Sequence, residues 1–214
     1  MVAVQLIEID EPIGRVPVGL SRLIRLNRRD CKRYARVLGE PTALALSPTR
    51  DPRRVGHVGY DLVAVAPRSV GLAHSAHRRE DPDVAQMITD VHEMALAAAL
   101  AALECRIGRL LARVTEHRWD TAPQPLLHAH VVFGPPVERD GRAQPVDVAD
   151  LAAGWPSAAL VYRRVLEEEL ARQLHARWGP EDAAGVREIV QVPAGVLRQW
   201  GRPARPLVEI GRCG

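Results

Sequence analysis

Three histidines, His117, His128 and His130, have the residue type and spacing that could do chemistry. His128 and His130 are one residue apart in the apolar run Leu126 to Phe133, which reads as a β-strand. Side chains alternate across a strand, so both imidazoles are expected on one face. His117 lies eleven residues before His128, in Leu111 to Arg118, a second predicted strand. Pairing of the two strands would bring a third imidazole to the same point. Three neutral nitrogens with further positions open form the donor set of a catalytic metal site, whereas structural sites are closed by a fourth protein ligand. The plainer reading is packing, and an HxH pair alone is a weak signal; the third histidine is what strengthens it. His57, His74, His77, His92 and His175 have no partner at ligand spacing and read as surface or packing residues.

The elements that must position these residues are a mixture of strands and long helices. Val2 to Ile9 and Val58 to Ala66 read as strands, the second ended by Pro67. Arg22 to Gly39 reads as partly helical, with Asp30 capping a short helix over Cys31 to Leu38. A short helix or turn is expected near Ser69. Asp81-Pro82 is a helix start, a capping carboxylate followed by proline in the first turn. Val84, Met87, Ile88, Val91, Ala95 and Ala98 keep the helical period, and the helix should run to about Gly108. The strand at Leu126 to Phe133, mostly apolar, should be central. Gly134-Pro135-Pro136 and Asp140-Gly141 read as turns, the second leading a hairpin to Arg142 to Val148. A long helix is predicted over Pro156 to Trp178, a short strand over Val186 to Val190, and a last helix from Pro193 to Trp200. No regular βαβ alternation occurs, which favours an α+β fold, an antiparallel β-sheet with helices packed on it. Residues 1–200 form the expected single domain and 201–214 a loose C-terminal tail.

Composition bounds the function loosely. The 214 residues are 47% hydrophobic, enough to bury one sizeable core. A net charge of +3 and a pI near 9.0 permit an anionic partner without demanding one. Lys32 is the one lysine, so nearly all positive charge is arginine, which suits phosphate or simply reflects a G+C-rich genome. Cys31, Cys105 and Cys213 are scattered, which argues against a disulfide scaffold and fits a reducing, cytoplasmic location. No apolar run approaches the roughly 20 residues of a membrane span, so no membrane partner is expected.

His117, then ten residues, then His128-Ala129-His130-Val131-Val132 resembles the HUH motif of conjugative relaxases of the TrwC type (MobF), within the HUH endonuclease superfamily. Gln124-Pro125-Leu126-Leu127-His128-Ala129-His130 stands where that family has Asp-Pro-Gln-Leu-His-Thr-His. Gly59-Tyr60-Asp61-Leu62, continuing through Ala66-Pro67-Arg68-Ser69-Val70, is similar to the family's Gly-x-Asp-Leu-Thr-Phe-Ser-Ala-Pro-Lys-Ser-Val. Ala159-Leu160-Val161-Tyr162, Glu168-Glu169-Leu170 and Trp178-Gly179-Pro180 resemble the helix after the histidine strand. Glu188-Ile189 and Val192-Pro193 match a Glu-Ile-x-x-Val/Ile-Pro stretch. The segments keep family order across residues 55–200.

The resemblance implies an HUH relaxase-like fold and a relaxase-like domain that binds a divalent metal ion (Mg, Mn or Zn) and single-stranded DNA. Such enzymes cut one strand at a plasmid transfer origin, a tyrosine attacking the scissile phosphate and staying linked to the 5′ end. It implies His117, His128 and His130 as metal ligands. Asp61 would orient a histidine or take the tyrosine proton, or else be a strand-end aspartate held by backbone amides. Arg68, Arg113 and Arg118 would contact phosphates, or Arg68 would be a solvated loop residue. Trp119 would stack on a base or pack at a strand edge.

The family's nucleophile is one of several tyrosines near the N-terminus, and this chain has only Tyr34, Tyr60 and Tyr162. Tyr34 is the candidate, on a predicted packing helix; Tyr60 should face away from Asp61, and Tyr162 should be core. The expectation is therefore a truncated or inactive relaxase without the N-terminal tyrosines and the C-terminal helicase, with a separate helicase or relaxosome protein as a further partner. The alternatives are a non-catalytic DNA-binding accessory module and a metal-dependent phosphodiesterase using a metal-bound water. Oligomeric state and DNA sequence stay open.

Overall fold

The computed structural model describes residues 6–7, 19–26, 59–119, 125–145, 148–183 and 185–199; for Asp61, Arg113, His117, Arg118 and Trp119 the description is of backbone and register. Among these residues the strands are β1 (Leu6–Ile7), β2 (Gly19–Leu26), β3 (Gly59–Val65), β4 (Arg109–Trp119), β5 (Pro125–Arg139) and β6 (Arg142–Pro145). The helices are α1 (Arg68–Glu80), α2 (Pro82–Ile107), α3 (Val148–Leu174) and α4 (Ala194–Gln199). The strands make one sheet in the order β1-β2-β3-β5-β4, with β6 also paired to β5. Only the β1–β2 pairing is parallel among those described. The result is the expected α+β fold, with the histidine strand β5 in a central place.

Period-2 alternation divides the sheet into two faces. Tyr60, Leu62 and Ala64 of β3 and Leu127, Ala129, Val131 and Phe133 of β5 are all buried and face the helices. They join Ile88, Val91 and Ala95 of α2 and Leu151, Trp155, Tyr162 and Leu166 of α3 in one apolar core. Burying such side chains contributes about 1.5–3 kcal/mol each, so this core dominates the stability. Val63, Val65, His128 and His130 occupy the alternate positions and the opposite face.

Helix α2 begins where its sequence signals place it. The Asp81 carboxylate accepts from Val84 N at 3.3 Å, Pro82 occupies the first turn, and Gly108 ends the helix at φ 96°. Glu104 Oε1 then accepts the Leu110 N–H at 2.7 Å, joining this helix end to β4. The β5–β6 hairpin turns through Asp140 at φ 54° and Gly141 at φ 71°, the two positive values that a two-residue type I′ turn requires.

Several expectations are corrected. Arg22 to Leu26, the start of the stretch expected to be helical in part, is strand: β2 lies between β1 and β3 and pairs with both. The predicted helix over Cys31 to Leu38, with Tyr34, lies outside the described residues. Near Ser69 the expected short helix or turn is a helix, longer than expected at 13 residues. Gly134-Pro135-Pro136 is not a turn: β5 runs on to Arg139, its partner register with β4 shifting between Leu110 and Ala112 to pass the prolines. The strand after the hairpin stops at Pro145, and α3 already begins at Val148, with Pro156 inside it. A proline there removes one helical N–H donor, but Leu151, Trp155 and Ala159 around it are buried against α2, and that packing outweighs the lost bond. Helix α3 ends at Leu174, short of Trp178, with His175 at φ 52° and Ala176 N donating to Leu170 O. Val186 to Val190 makes a single bridge, Ile189 to Trp178, in place of a strand. Among the described residues no helix is long and apolar enough to cross a membrane.

Candidate metal and nucleic-acid site

His117 sits directly opposite His128 in the antiparallel β4–β5 ladder, and Thr115 opposite His130. Directly opposed positions share a face of the sheet, so residues 117, 128 and 130 occupy one face. The same register puts Arg113 opposite Val132, two places along β5 from His130, on that face as well. On the other flank, β3 sets Val65 opposite His128, Val63 opposite His130 and Asp61 opposite Val132. Asp61 and Arg113 thus occupy the two positions flanking Val132, one on each neighbouring strand. The β4 ladder is irregular between His117 and Trp119, and Arg118 lies at that irregularity. Arg68 is half-buried at the first position of α1, just beyond Pro67.

The two described imidazoles suit a shared ion. His128 and His130 have ring centroids 5.3 Å apart at an interplanar angle of 69°. Two imidazoles bound to one tetrahedral ion at about 2.0–2.1 Å would have ring centres about 5 Å apart. The Nδ1 of His128 lies 3.1 Å from Leu126 O. A carbonyl only accepts, so Nδ1 carries the proton, and the lone pair of neutral His128 is on Nε2. Metal-bound histidines commonly have this second-nitrogen anchor. His128 is only 3% exposed, whereas His130 is half-buried, so the pair opens on the His130 side. Among the described residues, no group of three or more candidate ligand side chains is assembled; His117 contributes its register position.

Behind this face is a second set of polar groups that sequence reasoning did not connect to it. His92, on the buried side of α2, is fully buried, and His74 of α1 is 2% exposed. Burial first, then the nearby His128 and His74, push His92 from 6.5 down to about 3. Its Nδ1 shares a 2.7 Å hydrogen bond with the Tyr162 hydroxyl, and its Nε2 has no hydrogen-bond partner among the described residues. The available signal was the helical period: His92 follows Val91 and lies four residues after Ile88 on the predicted apolar face.

The tyrosines are placed clearly where they are described. Tyr60, 6% exposed, stacks on Phe133 with ring centroids 5.4 Å apart on the core face. Tyr162 is fully buried on α3. Both are therefore on the side of the sheet away from the histidines, as expected from the alternation. Tyr34 is outside the described residues.

Comparison with known proteins gives the class to which this fold belongs. The model of the TrwC relaxase family matches residues 14–204, so the chain belongs to the TrwC relaxase family. Solved structures with the same fold include a metal-free complex of the conjugative relaxase TrwC with oriT DNA, at 19% identity and a TM-score of 0.69. Others are TrwC with a 27-mer DNA comprising the recognition hairpin and the cleavage site, at 20% identity and 0.67, and a metal-bound TrwC–oriT complex, at 19% and 0.67. Each similarity covers 84% of this chain and 78% of the other. No curated protein matches the chain.

Proposed function

We propose that this chain binds a divalent metal ion through His117, His128 and His130 and holds single-stranded DNA across the same face, in the manner of a conjugative relaxase. The observation that carries the reading is the His117–His128 register, in a chain of the TrwC relaxase family. The relatives solved with oriT DNA, one of them metal-bound, support it. Residues 1–200 act as one domain in this reading. When bound, the ion polarises the phosphate oxygens and neutralises charge in the in-line transition state. The chain's own residues do the rest. The Leu126 carbonyl keeps the His128 proton on Nδ1 and so leaves the lone pair on Nε2 as the donor for an ion. Arg113 lies in register on the histidine face, where a guanidinium would meet the phosphate backbone, with Arg68 and Arg118 beyond it.

Strand transfer needs a nucleophile: a tyrosine oxygen bonds to phosphorus as the bond to the 3′ oxygen breaks, and the phenolic proton, taken up by a carboxylate, here Asp61, is returned to the leaving oxygen as a 3′ hydroxyl. Tyr34 is the residue proposed for it, since Tyr60 and Tyr162 are buried on the far face. That same burial favours, as a second reading, a module that binds metal and DNA without cutting.

The test uses labelled single-stranded DNA spanning the transfer origin, with Mg²⁺ or Mn²⁺. A denaturant-resistant protein–DNA adduct abolished by Tyr34→Phe supports nicking. Salt-sensitive binding without an adduct supports the binding module, and cleavage without an adduct points to a metal-bound water. Failure to bind both metal and DNA refutes the proposal.

A further inference from the structure

We infer that Glu188, 60 residues beyond His128 in the chain, is a positioning residue for His128, acting through the N-terminus of α1. This rests on the metal-site reading above for its functional consequence, though not for its structural one. The argument runs through one peptide unit. The Leu126 carbonyl that receives the His128 Nδ1 proton belongs to the peptide that ends at Leu127 N. Gly71 of α1 is packed against that peptide. A Cβ added at Gly71 would lie 3.1 Å from Pro125 O, 3.2 Å from Leu127 N and 3.3 Å from Leu126 Cα. From the neighbouring strand's end, Ala66 N donates to Leu127 O at 3.0 Å. The start of α1 and the residues leading into it therefore touch the backbone from Pro125 to Leu127 that carries the His128 anchor.

What holds that start in place comes from the far end of the chain. The Glu188 carboxylate accepts the Ser69 N–H at 2.8 Å, and Ser69 Oγ accepts the Ile189 N–H at 2.8 Å. Ser69 is fully buried. A carboxylate on a first-turn N–H satisfies a donor that has no helical partner and complements the positive end of the helix dipole. The segment carrying Glu188 is itself fixed to α3. Gly179 N donates to Glu188 O at 2.9 Å, Arg187 pairs with Glu167 at 2.9 Å, and Trp178 Nε1 donates to Glu167 O at 3.0 Å. Thus α3 holds the strap, the strap holds Ser69, and α1 presses Gly71 on the peptide that sets the His128 tautomer. Ser69 belongs to the Ala66-to-Val70 stretch and Glu188 to the Glu-Ile stretch singled out in the sequence, and the geometry gives the two a joint role.

The experiment compares the full chain with Glu188→Ala and Glu188→Gln. The glutamine amide oxygen can still accept from Ser69 N. Long-range proton–nitrogen NMR on the metal-free chain reads which His128 nitrogen carries the proton, and Zn²⁺ titration reads affinity. Glu188→Ala should admit the Nε2-protonated form of His128 and weaken Zn²⁺ binding by roughly 10–100-fold, as changes behind a ligand do, while Glu188→Gln restores both. An unchanged His128 tautomer in folded Glu188→Ala overturns the inference. If the parent chain binds no Zn²⁺, the metal-site reading fails, and the tautomer alone decides this one. If Glu188→Ala does not fold, Gly71→Ala decides it, since its Cβ pushes on the same peptide. A His128 tautomer unchanged there overturns the inference as well.

Discussion

The His92 imidazole and the Tyr162 hydroxyl share a 2.7 Å hydrogen bond at the buried contact between α2 and α3, the rings meeting edge to face with centroids 5.7 Å apart. The pair places two polar groups in the middle of an apolar core, close behind the strand that carries His128. The bond satisfies His92 Nδ1 and the Tyr162 hydroxyl, while His92 Nε2 has no partner among the described residues. The pair also makes the core sensitive to pH and to loss of either partner.

The pH dependence follows from the direction of the His92 shift. Burial lowers its pKa from 6.5 to about 3, with His128 and His74 adding to the effect. The unfolded chain therefore takes up a proton below about pH 6.5 that the folded chain refuses. The stability is fully present above 6.5 and is lost as pH falls toward 3. Urea unfolding should show the parent chain losing up to about 1.4 kcal/mol per pH unit more than His92→Leu in this window. Parallel pH profiles would show that His92 is not held neutral.

Tyr162→Phe removes only an oxygen, but it leaves His92 Nδ1 buried without its partner. The expected cost is about 1–3 kcal/mol at neutral pH, measured by the same denaturant method. A loss below a few tenths would mean that Nδ1 finds another partner at no cost.

Gly141→Ala tests the β5–β6 turn. A Cβ there meets nothing within 4 Å, so any effect comes from the backbone, held at φ 71°. An alanine in the left-handed region should cost roughly 1–2 kcal/mol. Thermal melts of the variant should show a lowered Tm with an unchanged fold by circular dichroism.

Arg113→Ala tests the nucleic-acid face. If Arg113 neutralises one phosphate of single-stranded DNA, the slope of log K against log salt should flatten by about 0.7. Arg109, on the same strand but at its start, opposite Glu138, should leave the slope unchanged when replaced. Fluorescence anisotropy across a salt series gives both slopes, and equal slopes for Arg113→Ala and the parent chain would remove Arg113 from the interface.

Part of this architecture was legible because its causes are local. Asp81-Pro82 and Gly108 bound α2 through capping chemistry that spans only a few residues. Asp140-Gly141 names its own turn through the positive φ values it tolerates. The shared face of His128 and His130 follows from the pleat alone. Local signals do not single out the strand at Gly19 to Leu26, whose latter part falls in a stretch that reads as partly helical, because pairing with β1 and β3, not local propensity, decides that segment. Gly134-Pro135-Pro136 misled for the same reason, since a shift of register carries β5 past its prolines.

By itself, then, the sequence determined the family, the strand bearing two histidines and the ends of the central helix, all of which depend on neighbours along the chain. The tertiary structure decided the rest. It set His117 opposite His128, where a slip of one residue would have turned it to the core face. It closed α3 through Pro156, buried His92 against Tyr162, and brought Glu188 to Ser69 across 119 positions. These relations depend on how distant segments pack, and no period or spacing along a single segment encodes that.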